Sequence, residues 1–336
     1  PADFITKLKA KGVKVNLWLN PYVSPDGSLY EKIEPFTGTH TVWNGIVPDF
    51  MTKEASEIMG AHFNKELLDV GVSGFKVDEV DGFDQWVWPD NATFPSGVDG
   101  ETMRQIYGIL VQKWSNDLYK TRNERTYGLV RASNAGASSF PYVIYNDYYR
   151  HEDFITALIN SSFSGVLWTP EVRKSGTPEE WLRRMQTVCF SPLAMINAWA
   201  DGTKPWSFPD VYEQCQDVAF LRMRLLPYIY STFARYYFEG IPPFRAMAME
   251  EGFQYKEEEA KTDLSSDANP YAVALKKEIK DQYMMGEFIL VTPLFNWKKE
   301  RDVVFPKGNW YDFYTGDYAG NGEIIHIEVG LDKIPL

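Results

Sequence analysis

Two hydrophobic periods alternate along this chain, one of about 3.6 residues and one of two. Over residues 1–11, Phe4, Ile5 and Leu8 recur at helical spacing, and Gly12 closes the helix. Residues 13–20, Val-Lys-Val-Asn-Leu-Trp-Leu-Asn, have the composition of a strand and run into Pro21-Tyr22. A helix followed by a strand is half of a parallel α/β unit. The pattern returns with a helix predicted over 52–70, Thr52 as its cap and Ile58, Ala61, Leu67 and Leu68 on one face. Further helices are predicted at 103–119, 153–161, 178–191 and 270–280, and at 211–239 with an interruption at Pro227. Strands are predicted near residues 76, 129, 143, 166 and 246. Residues 30–52 read as irregular, with 38–45 either a hairpin or a long loop.

That gives six strand–helix units. They predict a (β/α)8 TIM barrel of which strands 3–8 are present and the first two would precede Pro1. A doubly wound open sheet competes, but no Gly-rich phosphate turn follows the first strand. After Gln282 the pattern changes to short strands at 288–293, 302–305, 310–314 and 323–329, separated by Gly, Asn and Pro. We expect a catalytic barrel over 1–280 and an antiparallel β-sandwich module over 281–336. The chain opens on Pro1 directly into a helix and reads as part of a longer polypeptide.

Composition narrows the partners. A net charge of −12 over 336 residues argues against a basic nucleic-acid face. No apolar run approaches the roughly 20 residues that span a bilayer. The two cysteines, Cys189 and Cys215, make neither a disulfide framework nor a zinc site by themselves. Aromatic residues reach 15% with eleven Trp, which suits a large core or a sugar site, where flat rings stack on a pyranose.

The chemistry gathers at Gly74-Phe-Lys-Val-Asp78-Glu79-Val-Asp81, a short buried strand that releases three carboxylates at its C-terminal end. Barrel enzymes do their chemistry at that end of the strands. Asp147 also follows a strand, with Tyr145, Tyr148 and Tyr149 around it as an expected partly apolar pocket. Two carboxylates about 5 Å apart can break a glycosidic bond with retention, one attacking and one protonating. By pattern alone, a single Asp after a strand is more often a turn residue or a helix cap than a catalyst. Likewise Arg131 fits a structural ion pair, His151 a helix start, and the Trp and Phe residues of the long 81–99 loop ordinary packing.

These segments together resemble glycoside hydrolase family 31. The resemblance is carried by Gly12–Tyr22, by Gly74-Phe-Lys-Val-Asp78, by Arg131-Ala-Ser-Asn-Ala-Gly136 and by Asn146-Asp147 with Glu152-Asp153. It continues through Trp206-Ser-Phe, Leu225-Leu-Pro-Tyr-Ile-Tyr230, Gly286–Pro293 and Phe305–Asp312. It implies an N-terminal β-sandwich and two barrel strands before Pro1, and a retaining α-glycosidase acting on a terminal α-linked hexose. In that reading Asp78 is the nucleophile, Asp147 the acid/base and Arg131 a hydroxyl ligand, with no metal or organic cofactor. Trp18, Lys76, Glu79, Trp86, Trp168, Glu171 and Asn197 are the further candidates for contacting substrate, and Trp88 joins those expected to shape the pocket.

The sequence departs from the family at three places. Glu79-Val80-Asp81 stands where many α-glucosidases have Met-Asn-Glu. Thr169-Pro170-Glu171, with Arg173, stands for Gly-Ala-Asp. The region of Asn197 lacks the family's sugar-binding His. These differences leave glucose, galactose and xylose open as the sugar. A non-catalytic carbohydrate-binding protein is the alternative class.

Overall fold

The computed structural model describes residues 2–81, 86–131, 133–147, 150–196, 198–250 and 279–336. The chain forms two compact units, Pro1–Asn146 and Asp147–Leu336.

The first unit is built on a parallel sheet. α1 (Ala2–Ala10) leads into β1 (Asn16–Leu19), and α2 (Tyr30–Ile33) precedes a hairpin of β2 (Thr37–Val42) and β3 (Gly45–Pro48). α3 (Lys53–Phe63), β4 (Gly74–Val77), α4 (Gly100–Thr121), β5 (Gly128–Val130) and β6 (Tyr142–Ile144) follow. The sheet order is β1-β4-β5-β6, every pair parallel. Parallel neighbours need crossovers, and α3 and α4 supply two of them, as in an arc of a β/α barrel.

Two glycines let the strands close up. A Cβ on Gly74 would stand 2.0 Å from the Tyr127 carbonyl oxygen, and one on Gly128 2.5 Å from that of Phe75. Side chains of β4 alternate faces. Phe75 and Val77 are fully buried on the helix side, where Phe75 meets Phe63 at 5.7 Å and Tyr119 at 6.0 Å between ring centroids. Burying a side chain such as Phe75 stabilises by about 1.5–3 kcal/mol. Lys76, and Asp78 just past the strand, take the other face.

Thr52 caps α3 as expected, accepting from the Ala55 amide. Of the expected face, Leu68 is buried and Ile58 and Leu67 pack partly buried against the core, while Ala61 does not. Ala55, Met59, Phe63 and Leu68 point inward while Ala61 is exposed. The last step is five residues because Asn64–Leu68 is a π-helical turn, with the Asp69 amide bonded to the Asn64 carbonyl at 2.9 Å.

The second unit holds α5 (His151–Phe163), α6 (Pro178–Val188), α7 (Tyr212–Arg224) and α8 (Leu226–Glu239), with Pro227 just inside α8 where the long helix divides. β7 (Phe244–Ala246), β8 (Tyr283–Met285) and β9 (Ile289–Val291) form an antiparallel sheet. β10 (Glu300–Val304) pairs antiparallel with β13 (Ile324–Glu328), and β11 (Trp310–Tyr311) with β12 (Tyr318–Gly320). Two of its buried arginines donate to backbone carbonyls. Arg222 donates to those of Cys189, Ser191 and Pro192, and Arg183 to those of Gly330 and Lys333.

Two segments expected as barrel strands differ. Residues 165–168 form no strand beyond a single bridge position at Trp168. Gly165, at φ +66°, closes the turn after α5. Phe244–Ala246 is a strand, but its ladder partner is the antiparallel Tyr283–Met285. The helix expected over 270–280 lies largely outside the described residues.

Candidate active site

Strand register decides which side chains meet. Trp18 pairs with Lys76 and Leu19 with Val77, so Trp18, Lys76 and Asp78 share a face. Two ladder bonds continue past the strand ends, from the Asp78 amide to the Leu19 carbonyl at 2.9 Å and from the Arg131 amide to that of Val77 at 3.0 Å. Arg131 therefore stands beside Asp78 at the C-terminal edge.

The Asp78 carboxylate is 8% exposed and held on both oxygens. Oδ2 accepts the Trp18 indole N–H at 2.8 Å. Oδ1 accepts the Glu79 amide at 2.9 Å and Nη1 of Arg131 at 3.4 Å. Burial by itself raises this carboxyl. The bonds from Trp18, Tyr145 and the Glu79 amide, with the Arg131 charge, outweigh burial and hold it below the ordinary aspartate value.

Its neighbours go the other way. Burial and then the Asp78 charge push Glu79 up, against Arg131 and a hydrogen bond from Trp43. Burial also raises Asp81, although Arg131 Nε lies 3.0 Å from its Oδ1. One carboxyl held low beside two held high separates the charge states of neighbouring acids.

The structure brings Asp78, Trp18, Glu79 and Arg131 together. Lys76 lies nearby, its ammonium 4.4 Å from the centre of the Tyr145 ring. Tyr145, expected beside Asp147, is buried in the first unit and acts on Asp78. Asp147 is the first residue of the second unit and is exposed. Trp168 and Glu171 are buried in that unit, and Asn197 lies outside the described residues, as do Tyr148 and Tyr149. His151 starts α5 as read, with Nε2 2.6 Å from the Thr187 hydroxyl, and burial takes its pKa down to about 3.

Trp86 is 56% exposed on the long loop. Trp88 is a core residue instead, its indole donating to the Gly100 carbonyl at 2.9 Å and its ring edge-on to Phe94 and Tyr107. Among the described residues no group of His, Cys, Asp and Glu is arranged to hold a metal ion.

Trp43 and Tyr22 were not anticipated. Trp43 and Asn44, at φ +49° and +59°, are the two turn residues between paired Val42 and Gly45. A bulky residue there is unusual, since such turns favour Asn and Gly. The Trp43 ring is 62% exposed and tied to Glu79. The signal was present in the alternating Thr-His-Thr-Val before Asn44-Gly45, which marks a hairpin. Tyr22 donates its hydroxyl to the Glu79 carbonyl.

Residues 1–232 match the model of the glycosyl hydrolases family 31 TIM-barrel domain, and residues 240–336 that of the family's C-terminal domain. The fold is therefore part of a TIM barrel followed by a C-terminal β-sandwich domain. An isomaltosyltransferase of Sporosarcina globispora is 25% identical over 87% of this chain and 27% of its own length. Alpha-glucosidase 2 of Bacillus thermoamyloliquefaciens is 26% identical over 99% of this chain and 44% of its own. The cycloalternan-forming enzyme of Listeria monocytogenes, solved with a pentasaccharide substrate, superposes with a TM-score of 0.82 at 23% identity. That match covers all of this chain and 34% of the other. The chain thus spans less than half the length of these relatives.

Proposed function

The chain belongs to glycoside hydrolase family 31, and from that premise we propose that it carries the nucleophile of a retaining α-glycosidase. The observation that carries the reading is the Asp78 carboxylate, kept ionised by Trp18, Glu79 and Arg131 at the C-terminal edge of a parallel sheet. An Asp78 oxygen attacks the anomeric carbon as the bond to the leaving oxygen breaks. Asp147 gives its proton to that oxygen. Water then attacks the same carbon, Asp147 takes the water's proton, and Asp78 leaves with its electron pair.

In this reading residues 1–280 form the catalytic barrel and 281–336 the β-domain. The substrate is an oligosaccharide or glycoside with a terminal α-linked hexose. The alpha-glucosidase relative favours glucose, and an α-xylosidase of Saccharolobus solfataricus, 31% identical over 231 residues, keeps xylose beside it. Galactose remains the third sugar to test. Trp18, Lys76, Glu79, Trp86, Arg131, Trp168, Glu171 and Asn197 contact the sugars, with Trp43 added.

The test is Asp78→Asn in the polypeptide that carries this chain, assayed on activated α-glucoside, α-galactoside and α-xyloside. Losing a nucleophile costs several kcal/mol of barrier, so turnover within about tenfold of the parent rejects the assignment. Saturable sugar binding without any turnover in the parent supports a carbohydrate-binding protein instead. The similarity to an isomaltosyltransferase favours a second reading in which a sugar hydroxyl replaces water as acceptor. Longer products from maltose distinguish it.

A further inference from the structure

Glu79 carries a Cβ yet sits at φ +59°, a backbone region that side chains other than Asn, Asp and Gly seldom occupy. The peptides on its two sides are anchored separately. The amide before it donates to Asp78 Oδ1 at 2.9 Å. The carbonyl after it accepts the Tyr22 hydroxyl. Because peptide units are planar, φ and ψ of Glu79 are the only soft rotations between these two anchors. A carbonyl released from Tyr22 lets Glu79 relax toward negative φ, and that rotation carries its N–H off the carboxylate.

Tyr22 is itself fixed. Its ring stacks on Tyr107 at 6.5 Å with 7° between the planes. A Cβ on Gly45 would stand 2.8 Å from the Cβ of Tyr22, so the hairpin backbone lies directly against it. Val23 and Ile46 exchange backbone hydrogen bonds at 3.0 and 2.9 Å. Burial, with Glu79 and Asp81 nearby, pushes the Tyr22 phenol far above its ordinary value, so it donates as a neutral hydroxyl.

We propose that Tyr22 is a positioning residue for Asp78: its hydroxyl clamps the Glu79 carbonyl and so keeps the Glu79 amide on Asp78 Oδ1. The consequence for turnover rests on Asp78 being the nucleophile, as argued above. The consequence for the carboxylate itself does not. The charged groups around Asp78 are Arg131, Glu79, Asp81 and, two residues before it on the strand, Lys76. Tyr22→Phe leaves all of them in place.

The experiment follows Asp78 by carboxyl ¹³C NMR, with Asp78→Asn identifying the signal. In Tyr22→Phe, which keeps the stacked ring, the Asp78 titration moves up by about half to one pH unit. The acid limb of kcat/KM moves with it, and kcat falls about tenfold with KM within about twofold. In a Glu79→Gly background, where left-handed backbone needs no clamp, Tyr22→Phe moves Asp78 much less. An unmoved titration, or equal shifts in both backgrounds, overturns the proposal. Should Tyr22→Phe not fold, the parent still decides: a Tyr22 hydroxyl proton in slow exchange supports the clamp, and one exchanging freely with solvent overturns it. A shifted Asp78 in a polypeptide that turns over no α-glycoside supports the clamp and removes the glycosidase reading. Normal turnover with Asp78 unshifted removes the clamp alone.

Discussion

Trp18 and Asp78 meet across neighbouring parallel strands, with the indole Nε1 2.8 Å from Oδ2 of the carboxylate. The bond does two things. It favours the ionised form of Asp78 against burial, and it holds the Trp18 ring, 55% exposed, at a fixed angle beside the carboxylate.

Trp18→Phe separates those effects, since the aromatic surface stays and the donor goes. A hydrogen bond to a charged group is worth about 1.5–3 kcal/mol, and one pKa unit corresponds to about 1.4 kcal/mol. The N–H lowers the Asp78 pKa, so its loss raises it. The acid limb of kcat/KM should move up by about one unit, with the larger loss of rate at low pH. A pH–rate profile checks this, and an unmoved acid limb removes the role given to Trp18.

Arg131 links Asp78 and Asp81, and its removal should show in stability as well as in rate. The signs differ among the carboxylates. Asp78, held low in the fold, contributes stability above its unfolded pKa and loses it as pH falls through the folded value. Glu79 and Asp81, held high, are costly when ionised, and that cost disappears as pH falls. Arg131→Met pushes all three up. Urea unfolding should therefore show a loss of about 1–3 kcal/mol at neutral pH that shrinks toward pH ~5. A loss that is equal at both pH values contradicts this charge assignment.

Gly74→Ala tests the strand spacing under the site. The added Cβ meets the Tyr127 carbonyl oxygen and the Asn16 side chain, and the backbone there is held in a ladder. The expected cost is about 3 kcal/mol, the upper part of the overpacking range. Gly97→Ala is the comparison, because nothing lies within 4 Å and only its φ of +82° is strained. That change should cost about 1–2 kcal/mol. Chemical denaturation of both variants settles the order.

The sequence showed the strand-and-carboxylate segment because three physical signals coincide there: apolar alternation, flanking glycines and acidic residues that a core does not tolerate unpaired. On α3 the π turn at Asn64–Leu68 adds a residue to the 3.6-residue period that periodicity assumes, which puts Phe63 and Leu68 on the same buried face. Trp88 and Trp86 are indistinguishable by composition. Only the tertiary fold sends one into the core against Tyr107 and leaves the other exposed. Tyr22 and Trp43 were hidden for a related reason. Each acts through Glu79, more than thirty residues away, and through a backbone carbonyl or a turn conformation that residue type does not encode. The parallel pairing expected near residue 246 failed because a ladder partner arrived later in the chain, at Tyr283–Met285.

The most direct measurement is to trap the intermediate. A 5-fluoro-α-glycosyl fluoride of the preferred sugar slows the second step, and peptide mass spectrometry then locates the attached sugar. The account predicts one glycosyl group, as an ester, on the peptide containing Asp78, and none on Asp78→Asn. A label on another residue, or turnover that yields the β-anomer with no label at all, contradicts it.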